Sequence, residues 1–214
     1  MSGIKALLNL YAIEDMPHKR WDMSRWDDFF DRAMREMAKE RVVRDVGGAR
    51  PFHKGMAKYR ELFAGCDYKT VDIDPEAKPD IVGDIHNLSG ITDGSVDGVI
   101  CRSVLEHVED PMKAVSELRR ILRDGGKLYA FVPFVWPYHG SGYKDYWRFT
   151  RDGVELLFRD FSKVEIEPVR GTFGSMAINL PAALFVALDP IASMLDNGRS
   201  RKATCTGFNV FAIK

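Results

Sequence analysis

The sequence predicts an α/β fold in which a mostly parallel sheet carries helices on both faces. Three short apolar segments each end in an acidic residue, at Asp45, Asp72 and Asp84. After the first of them, one residue beyond Asp45, comes the glycine pair Gly47–Gly48. Apolar strands that alternate with helical segments are typical of βαβ units, which build parallel sheets.

The first well-defined element is a helix at 25–40. Large apolar residues recur there at helical spacing, and Ser24 precedes them as a candidate N-cap with Asp27 three residues later. The segment before it, 1–23, gives no clear pattern. We therefore expect an N-terminal helical extension over 1–40 and one domain over 41–214.

Seven strands are expected after this helix. They lie at 41–46, 69–73, 81–82, 96–101, 127–132, 163–167 and 208–213. Helices are expected between them where apolar residues return every three to four positions, at 53–63, 111–122 and 151–159. A mostly apolar helical insertion is expected over about 171–197.

The bulk composition excludes several classes of protein. Lys+Arg and Asp+Glu both number 31 in 214 residues, so no excess positive charge favours nucleic acid as a partner. No segment reaches the ~18 apolar residues of a membrane-spanning helix. We expect a cytoplasmic protein.

The cysteines and histidines predict no metal and no disulfide framework. Cys66, Cys101 and Cys205 are odd in number and widely separated, which suits a reducing compartment. We expect Cys101 to be a buried apolar residue inside its strand. No group of His, Asp and Glu has the spacing of metal ligands along the chain.

The strand ends predict a site for an adenosine-containing cofactor. Glycines allow the backbone to approach a ligand closely, and a carboxylate at the end of the second strand can accept both ribose hydroxyls. Asp72 is favoured for the ribose, although Asp74 points to the same strand face and is the alternative. An NAD-dependent oxidoreductase would need a complete G-x-G-x-x-G turn, which G-G-A-R-P-F does not supply.

Five motifs in order make the chain resemble the class I S-adenosyl-L-methionine (SAM) dependent methyltransferases, and within them the methyltransferase type 11 group. They are RDVGG, VDIDP, DIVGDIHNL, DGSVDGVICRSVLEHVEDP and ELRRILRDGGKLYAFVP. The resemblance covers about 41–167 and the last strand. It implies a Rossmann-like, seven-stranded, mostly parallel sheet with an antiparallel last strand, and SAM as the cofactor.

The resemblance also implies which residues hold the cofactor. From the glycine loop through the ribose and adenine to the methionine part, the matching positions are Asp45, Gly47, Gly48, Asp72, Asp84, Ile85, Arg102 and Ser103. The family loop usually reads D-x-G-x-G-x-G, whereas this chain has Ala49 and Pro51 at its second and third glycine positions. Since proline fixes φ and lacks an N–H, the loop must differ locally.

The loop after the fifth strand, PFVWPYHGSGYKDYWRFT, is the candidate acceptor site. It follows the carboxyl end of a parallel strand, where open α/β sheets bind their ligands. We assign His139 as the catalytic base, Asp145 as its orienter or an alternate base, and Arg148 as an anchor for an anionic substrate. The alternative is that the aromatic residues only cover the core. Within this loop, the D-Y-W-R-F-T string resembles a segment associated with polysaccharide biosynthesis.

The expected function is methyl transfer from SAM to a small molecule or glycan precursor, most simply to a hydroxyl. A lipophilic acceptor is the second choice, because 176–188 is strongly apolar. That segment is expected to be a core or lid helix, with a homodimer face or peripheral membrane contact left open. The alternative from another functional class is a non-catalytic subunit with the same fold. It is suggested by Ala49 and Pro51, which stand at two glycine positions of the family loop.

Overall fold

The computed structural model describes residues 24–140, 142–180, 182–196 and 204–214. The α-helices of these residues are α1 (Ser24–Met37), α2 (Pro111–Ile121), α3 (Arg151–Leu157), α4 (Thr172–Ala177) and α5 (Ala182–Leu195). The strands are β1 (Val42–Val46), β2 (Asp67–Asp72), β3 (Ile81–Val82), β4 (Val96–Arg102), β5 (Leu122–Pro133), β6 (Lys163–Val169) and β7 (Gly207–Ile213). Short 3-10 turns lie at Met56–Tyr59, Pro75–Ala77 and Leu105–His107.

The seven strands form one sheet in the order β3-β2-β1-β4-β5-β7-β6. The first five strands pair in parallel, and β7 pairs antiparallel with both β5 and β6. The predicted Rossmann-like sheet with an antiparallel last strand is therefore confirmed. In this sheet β2 and β3 lie on one side of β1, and β4 lies on the other side. The strand order therefore reverses between β1 and β4.

Both faces of the sheet are covered, because successive residues of a strand point to opposite sides. On one face, buried residues of α2 and α3 pack against Val99, Cys101 and the sheet around them. On the other face, α1 contributes Phe29, Phe30, Ala33, Met34 and Met37, which pack against Val43, Ile100 and Tyr129. The buried contacts of α1 thus continue across the boundary predicted at residue 40.

The predicted helix at 53–63 is wrong. Only Met56–Tyr59 forms a 3-10 turn there, and the residues around it form turns. Ala49, Phe52, Lys54 and Gly55 have φ angles of 55°, 58°, 47° and 81°. These left-handed conformations cannot continue into a right-handed helix, so the apolar residues Met56, Tyr59 and Phe63 reach the core from turns.

The apolar stretch after β6 forms α4 and α5. Asp196 holds the start of α4, because its carboxylate accepts the backbone N–H groups of Gly171, Phe173 and Gly174. The outer side of the pair is exposed and apolar at Phe173, Met176, Leu184, Leu188, Ile191, Met194 and Leu195. Among the described residues, no helix combines the length and apolar character needed to cross a membrane.

Candidate cofactor and acceptor site

The candidate site lies at the carboxyl edge of the sheet, where β1 and β4 are neighbours. Five connections begin there, after β1, β2, β3, β4 and β5. Open α/β sheets bind ligands outside this edge where the strand order reverses, because the two adjacent connections leave in opposite directions and open a crevice. The predicted cofactor residues and the predicted acceptor loop all follow these strands.

The turn after β1 is built on its two glycines. Gly47 has φ 73° and donates its N–H to the Val71 carbonyl at 2.7 Å. At Gly48, a Cβ atom would lie 2.7 Å from the carboxyl carbon of Asp45, so only glycine fits without a shift. Asp45 is 4% exposed and accepts a 2.5 Å hydrogen bond from the Tyr68 hydroxyl. Burial raises the pKa of Asp45, against the opposing hydrogen bond from Tyr68.

The structure separates the roles of Asp72 and Asp74. Asp72 reaches across to the glycine turn, where its Oδ2 accepts the N–H of Ala49 at 3.0 Å. Asp74 instead caps the following 3-10 turn by accepting the N–H of Glu76 at 2.9 Å. Asp72 is thus the carboxylate that lies beside the turn after β1, as a ribose-binding residue would.

Asp84 and Ile85 follow β3 on the same edge. The Asp84 carboxylate accepts the backbone N–H of His86 at 2.8 Å and lies 2.9 Å from Nδ1 of that imidazole. The hydrogen bond from the His86 backbone N–H, together with the His86 imidazole, lowers the pKa of Asp84 below its ordinary value. Ile85 is 7% exposed and packs in the core cluster beneath this loop.

Arg102 and Ser103 end β4 with two unusual features. Ser103 has φ 50°, a left-handed conformation that is rare outside glycine and is found at functional sites. The Arg102 guanidinium lies 4.4 Å from the Phe30 ring centroid, and its Nη1 is buried without a hydrogen-bond partner among the described residues. A buried, unpaired guanidinium nitrogen suits an anionic ligand group.

These residues fit SAM. The glycine turn leaves backbone open to a ligand, the Asp72 carboxylate lies at the end of β2, and the free Arg102 nitrogen lies at the end of β4. Their order along the edge matches ribose and then methionine carboxylate. The local change predicted from Pro51 takes the form of the left-handed turns at 49–55, where the Phe52 ring stacks on Tyr68 at 4.4 Å.

The acceptor loop after β5 is fixed to the turn that follows β4. Tyr146 and Trp147 both donate their backbone N–H to the Glu106 carbonyl, at 2.7 and 3.2 Å. The Trp147 indole donates to the Val108 carbonyl at 2.8 Å. Thr150 ends the loop as the N-cap of α3, accepting the N–H of Gly153 at 3.2 Å.

Asp145 and Arg148 form a clamp inside this loop. The guanidinium donates to both carboxylate oxygens at 2.6 and 2.7 Å, and further to the carbonyls of Trp136, Pro137 and Trp147. The Asp145 side chain is 0% exposed. The hydrogen bonds from Arg148 lower its pKa to about 2. With these donors engaged, Arg148 holds the loop. It is therefore not free for its predicted role as an anchor for an anionic substrate.

His139 is brought beside Asp145, as the assigned roles require. Its backbone N–H donates to Asp145 Oδ2 at 2.9 Å, and its Nδ1 lies 3.3 Å from the same oxygen. Burial lowers the pKa of His139, but the Glu106 carboxylate, the Pro137 carbonyl and the Asp145 carboxylate together more than offset this, so its pKa lies above the ordinary value. The ring stays 25% exposed, which leaves it open to an acceptor.

Sequence reasoning missed the grouping of Glu106, His107 and His139. Their ligand atoms all lie within 4.8 Å of one another, although the third residue is far from the others along the chain. A signal existed, since both histidines follow shortly after neighbouring parallel strands, β4 and β5, whose carboxyl ends meet at one edge. Spacing along the chain alone does not reveal such a pair.

Residues 47–130 match the protein family described as "Methyltransferase domain". The thiol S-methyltransferase TMT1B of Homo sapiens is 29% identical over 101 residues, which is 41% of this chain and 41% of that protein. The chain spans less than half the length of the curated relatives that it matches.

Solved structures share the fold across most of the chain. A SAM-dependent methyltransferase from Archaeoglobus fulgidus superposes with a TM-score of 0.61 and 14% identity, covering 91% of this chain and 96% of that one. The 1,6-didemethyltoxoflavin-N1-methyltransferase of Burkholderia thailandensis, solved with S-adenosylhomocysteine, gives 0.52 and 17% identity, covering 88% of this chain and 81% of that one.

Proposed function

We propose that the chain is a class I SAM-dependent methyltransferase, because residues 47–130 match a methyltransferase domain and the fold is that of solved SAM-dependent methyltransferases. We further propose that it methylates a hydroxyl group of a sugar or glycan precursor. The observation that carries the proposal is one edge of the sheet. At this edge the Asp72 carboxylate contacts the glycine turn after β1, and the loop that carries His139 follows β5, two strands away from that turn.

Bound SAM supplies an activated methyl group on a sulfonium, so the chain's own residues need only position the acceptor and take its proton. The cofactor turn and Asp72 fix one reactant, and the loop after β5 fixes the other. Holding two reactants in line removes roughly 7–11 kcal/mol of the barrier of a bimolecular encounter. The S–CH₃ bond breaks as the O–CH₃ bond forms, and S-adenosylhomocysteine leaves.

We assign the proton of the acceptor hydroxyl to Nε2 of His139. Nδ1 faces the Pro137 carbonyl at 3.2 Å and the Asp145 carboxylate, both acceptors, so it carries the proton of the neutral ring. Nε2 is then the basic nitrogen. A pKa above the ordinary value makes His139 a stronger proton acceptor near neutral pH.

A sugar-type acceptor is supported by the exposed aromatic rings of this loop. Tyr138, Tyr143, Tyr146 and Trp147 are 71%, 49%, 46% and 42% exposed, so they do not serve as a plug over the core. Flat aromatic faces beside a few polar groups suit the apolar face of a sugar ring. The D-Y-W-R-F-T string itself is explained largely by the clamp and the α3 cap.

A lipophilic acceptor, a thiol in particular, is the second candidate. It is favoured by the exposed apolar side of α4 and α5 and by the thiol S-methyltransferase among the relatives. Thiols ionise more readily than alcohols and need less help from a base. The two candidates therefore differ in their dependence on His139.

The test is to incubate the purified protein with methyl-labelled SAM and separate panels of nucleotide sugars, free sugars and alkyl thiols. We expect S-adenosylhomocysteine and a methyl ether from a sugar acceptor, with His139→Gln lowering turnover by ~10²–10⁴-fold. A thioether product with little loss in His139→Gln would establish the second candidate. SAM binding with no product from any panel would favour the non-catalytic subunit.

A further inference from the structure

We propose that Glu106, His107 and His139 form a binding site for a divalent transition metal ion such as Zn²⁺. Nε2 of His107 lies 3.8 Å and Nε2 of His139 lies 3.6 Å from Oε1 of Glu106. All three ligand atoms lie within 4.8 Å of one another. Two imidazoles and one carboxylate are a ligand set that Zn²⁺ and Fe²⁺ bind in proteins.

The buried carboxylate lacks the partners that its burial requires. Glu106 is 1% exposed, and neither of its oxygens has a hydrogen-bond partner among the described residues. A buried carboxylate is costly unless it is paired or binds a metal. Two imidazole nitrogens, Nε2 of His107 and Nε2 of His139, face Oε1 at distances beyond a hydrogen bond.

The tautomers of both histidines direct a lone pair toward Glu106. His107 Nδ1 lies 2.8 Å from the Lys144 carbonyl, and His139 Nδ1 lies 3.2 Å from the Pro137 carbonyl. Because a carbonyl only accepts, each Nδ1 carries the proton of a neutral ring and each Nε2 presents its lone pair. Two lone pairs and a carboxylate that face one another repel, and a cation bound between them removes this repulsion.

The surroundings resemble those of metal-binding histidines. Such histidines usually donate their other ring N–H to a carbonyl or carboxylate, which fixes the ring. Metal–ligand bonds of ~2.0–2.2 Å at a tetrahedral angle place two ligand atoms about 3.4 Å apart. The observed 3.8 and 3.6 Å to Glu106 need closure by a few tenths of an ångström. The two imidazole nitrogens, which lie within 4.8 Å of each other, must also approach to that separation, and rotation of the two rings brings them closer.

The ion would have an open coordination position on the acceptor side. The side chains of His107 and His139 are 14% and 25% exposed, whereas Glu106 forms the closed floor of the cluster. Three protein ligands with one open position are typical of catalytic zinc, which lowers the pKa of a bound oxygen ligand. Without the ion, Nε2 of His139 stays available as the base of the proposed function; with the ion bound, Nε2 is a ligand and His139 acts through the ion.

The experiment is metal analysis of the full chain, and it does not depend on methyl transfer. The protein is freed of metal with a chelator, incubated with Zn²⁺ under a phosphine reductant, dialysed and measured for zinc per chain. Co²⁺ loading adds a visible spectrum that reports tetrahedral coordination by nitrogen and oxygen. The variants are Glu106→Gln and His139→Asn, with His53→Gln as a histidine control outside the cluster.

We expect one zinc per chain in the unaltered protein and in His53→Gln, and a loss of at least about tenfold in affinity in the two cluster variants. Circular dichroism and thermal unfolding check that Glu106→Gln is folded. Absence of stoichiometric zinc in the unaltered protein, or zinc binding by a folded Glu106→Gln equal to the unaltered protein, would overturn the site. In that case a proton shared by Glu106 and His139, and not a metal ion, would balance the buried negative charge. SAM titration of the same samples reports separately on the cofactor site.

Discussion

At the residue scale, the close contact at Gly48 gives the cofactor turn its shape. The space where a Cβ would lie is occupied by the buried carboxylate of Asp45, and Asp45 is in turn held by Tyr68. A methyl group there must displace one of these groups. The displacement acts on the turn that we propose as the cofactor site.

We therefore expect Gly48→Ala to weaken SAM binding by at least about tenfold, while the protein stays folded with a loss of ~1–3 kcal/mol. Gly65→Ala is the matched control, because a Cβ at Gly65 meets nothing within 4 Å. Isothermal titration calorimetry and urea unfolding measure the two quantities. Equal affinities in both variants would show that the turn does not approach the cofactor.

At the element scale, the acceptor loop depends on the clamp between Asp145 and Arg148. The carboxylate is fully buried, and the guanidinium joins it to three carbonyls of the same loop. Removing one partner of a buried ion pair leaves an uncompensated charge. That usually costs ~3–5 kcal/mol.

We expect Arg148→Met to lower the free energy of unfolding by about 3–5 kcal/mol, and the double variant with Asp145→Asn to lose less than the sum of the single ones. Arg151→Met is the control, since Arg151 pairs with Glu155 at an exposed surface. It should cost under ~0.5 kcal/mol. Additive losses in the double variant would contradict a coupled clamp.

The elements also show where sequence reasoning succeeds. Apolar runs with glycine or aspartate at their ends located all seven strands, since a buried strand needs continuous apolar residues. The prediction of a helix at 53–63 was wrong, because the apolar spacing suits a helix while the left-handed residues before and at its start do not. Positive φ at Ala49, Phe52 and Lys54 is set by the loop's contacts and leaves little mark on the sequence.

The candidate site follows the same pattern. Asp72 beside the glycine turn was predictable, because strand order and strand-end position determine it. The engagement of Arg148 with Asp145, and the meeting of His139 with Glu106 and His107, depend on how two loops fold against each other. Long-range loop contacts of this kind have no periodicity along the chain.

At the scale of the whole molecule, the core encloses two of the three thiols. Cys101 and Cys205 are 0% and 1% exposed, and Cys66 is partly buried. Burial raises the pKa of Cys101, and burial raises that of Cys205 to about 12. Since the thiolate is the reactive form, both should be inert in the native state.

We expect a native titration with a disulfide reagent at pH 8 to modify at most one thiol, Cys66, and the unfolded protein to react at all three cysteines. Bound SAM should slow any further reaction, because it stabilises the folded state by ~2.7 kcal/mol at 100 times its Kd. Rapid native reaction of a second thiol would contradict the packing of the sheet.

Binding of SAM at the carboxyl edge of the sheet is tested by calorimetric titration of SAM and S-adenosylhomocysteine into the unaltered protein, Asp72→Asn and Asp74→Asn. We expect one site per chain for both ligands and near-normal binding in Asp74→Asn. We expect Asp72→Asn to lose at least about tenfold in affinity, because a charged hydrogen bond to ribose is worth ~1.5–3 kcal/mol. No binding to the unaltered protein, or equal binding in Asp72→Asn, would contradict SAM binding at this edge.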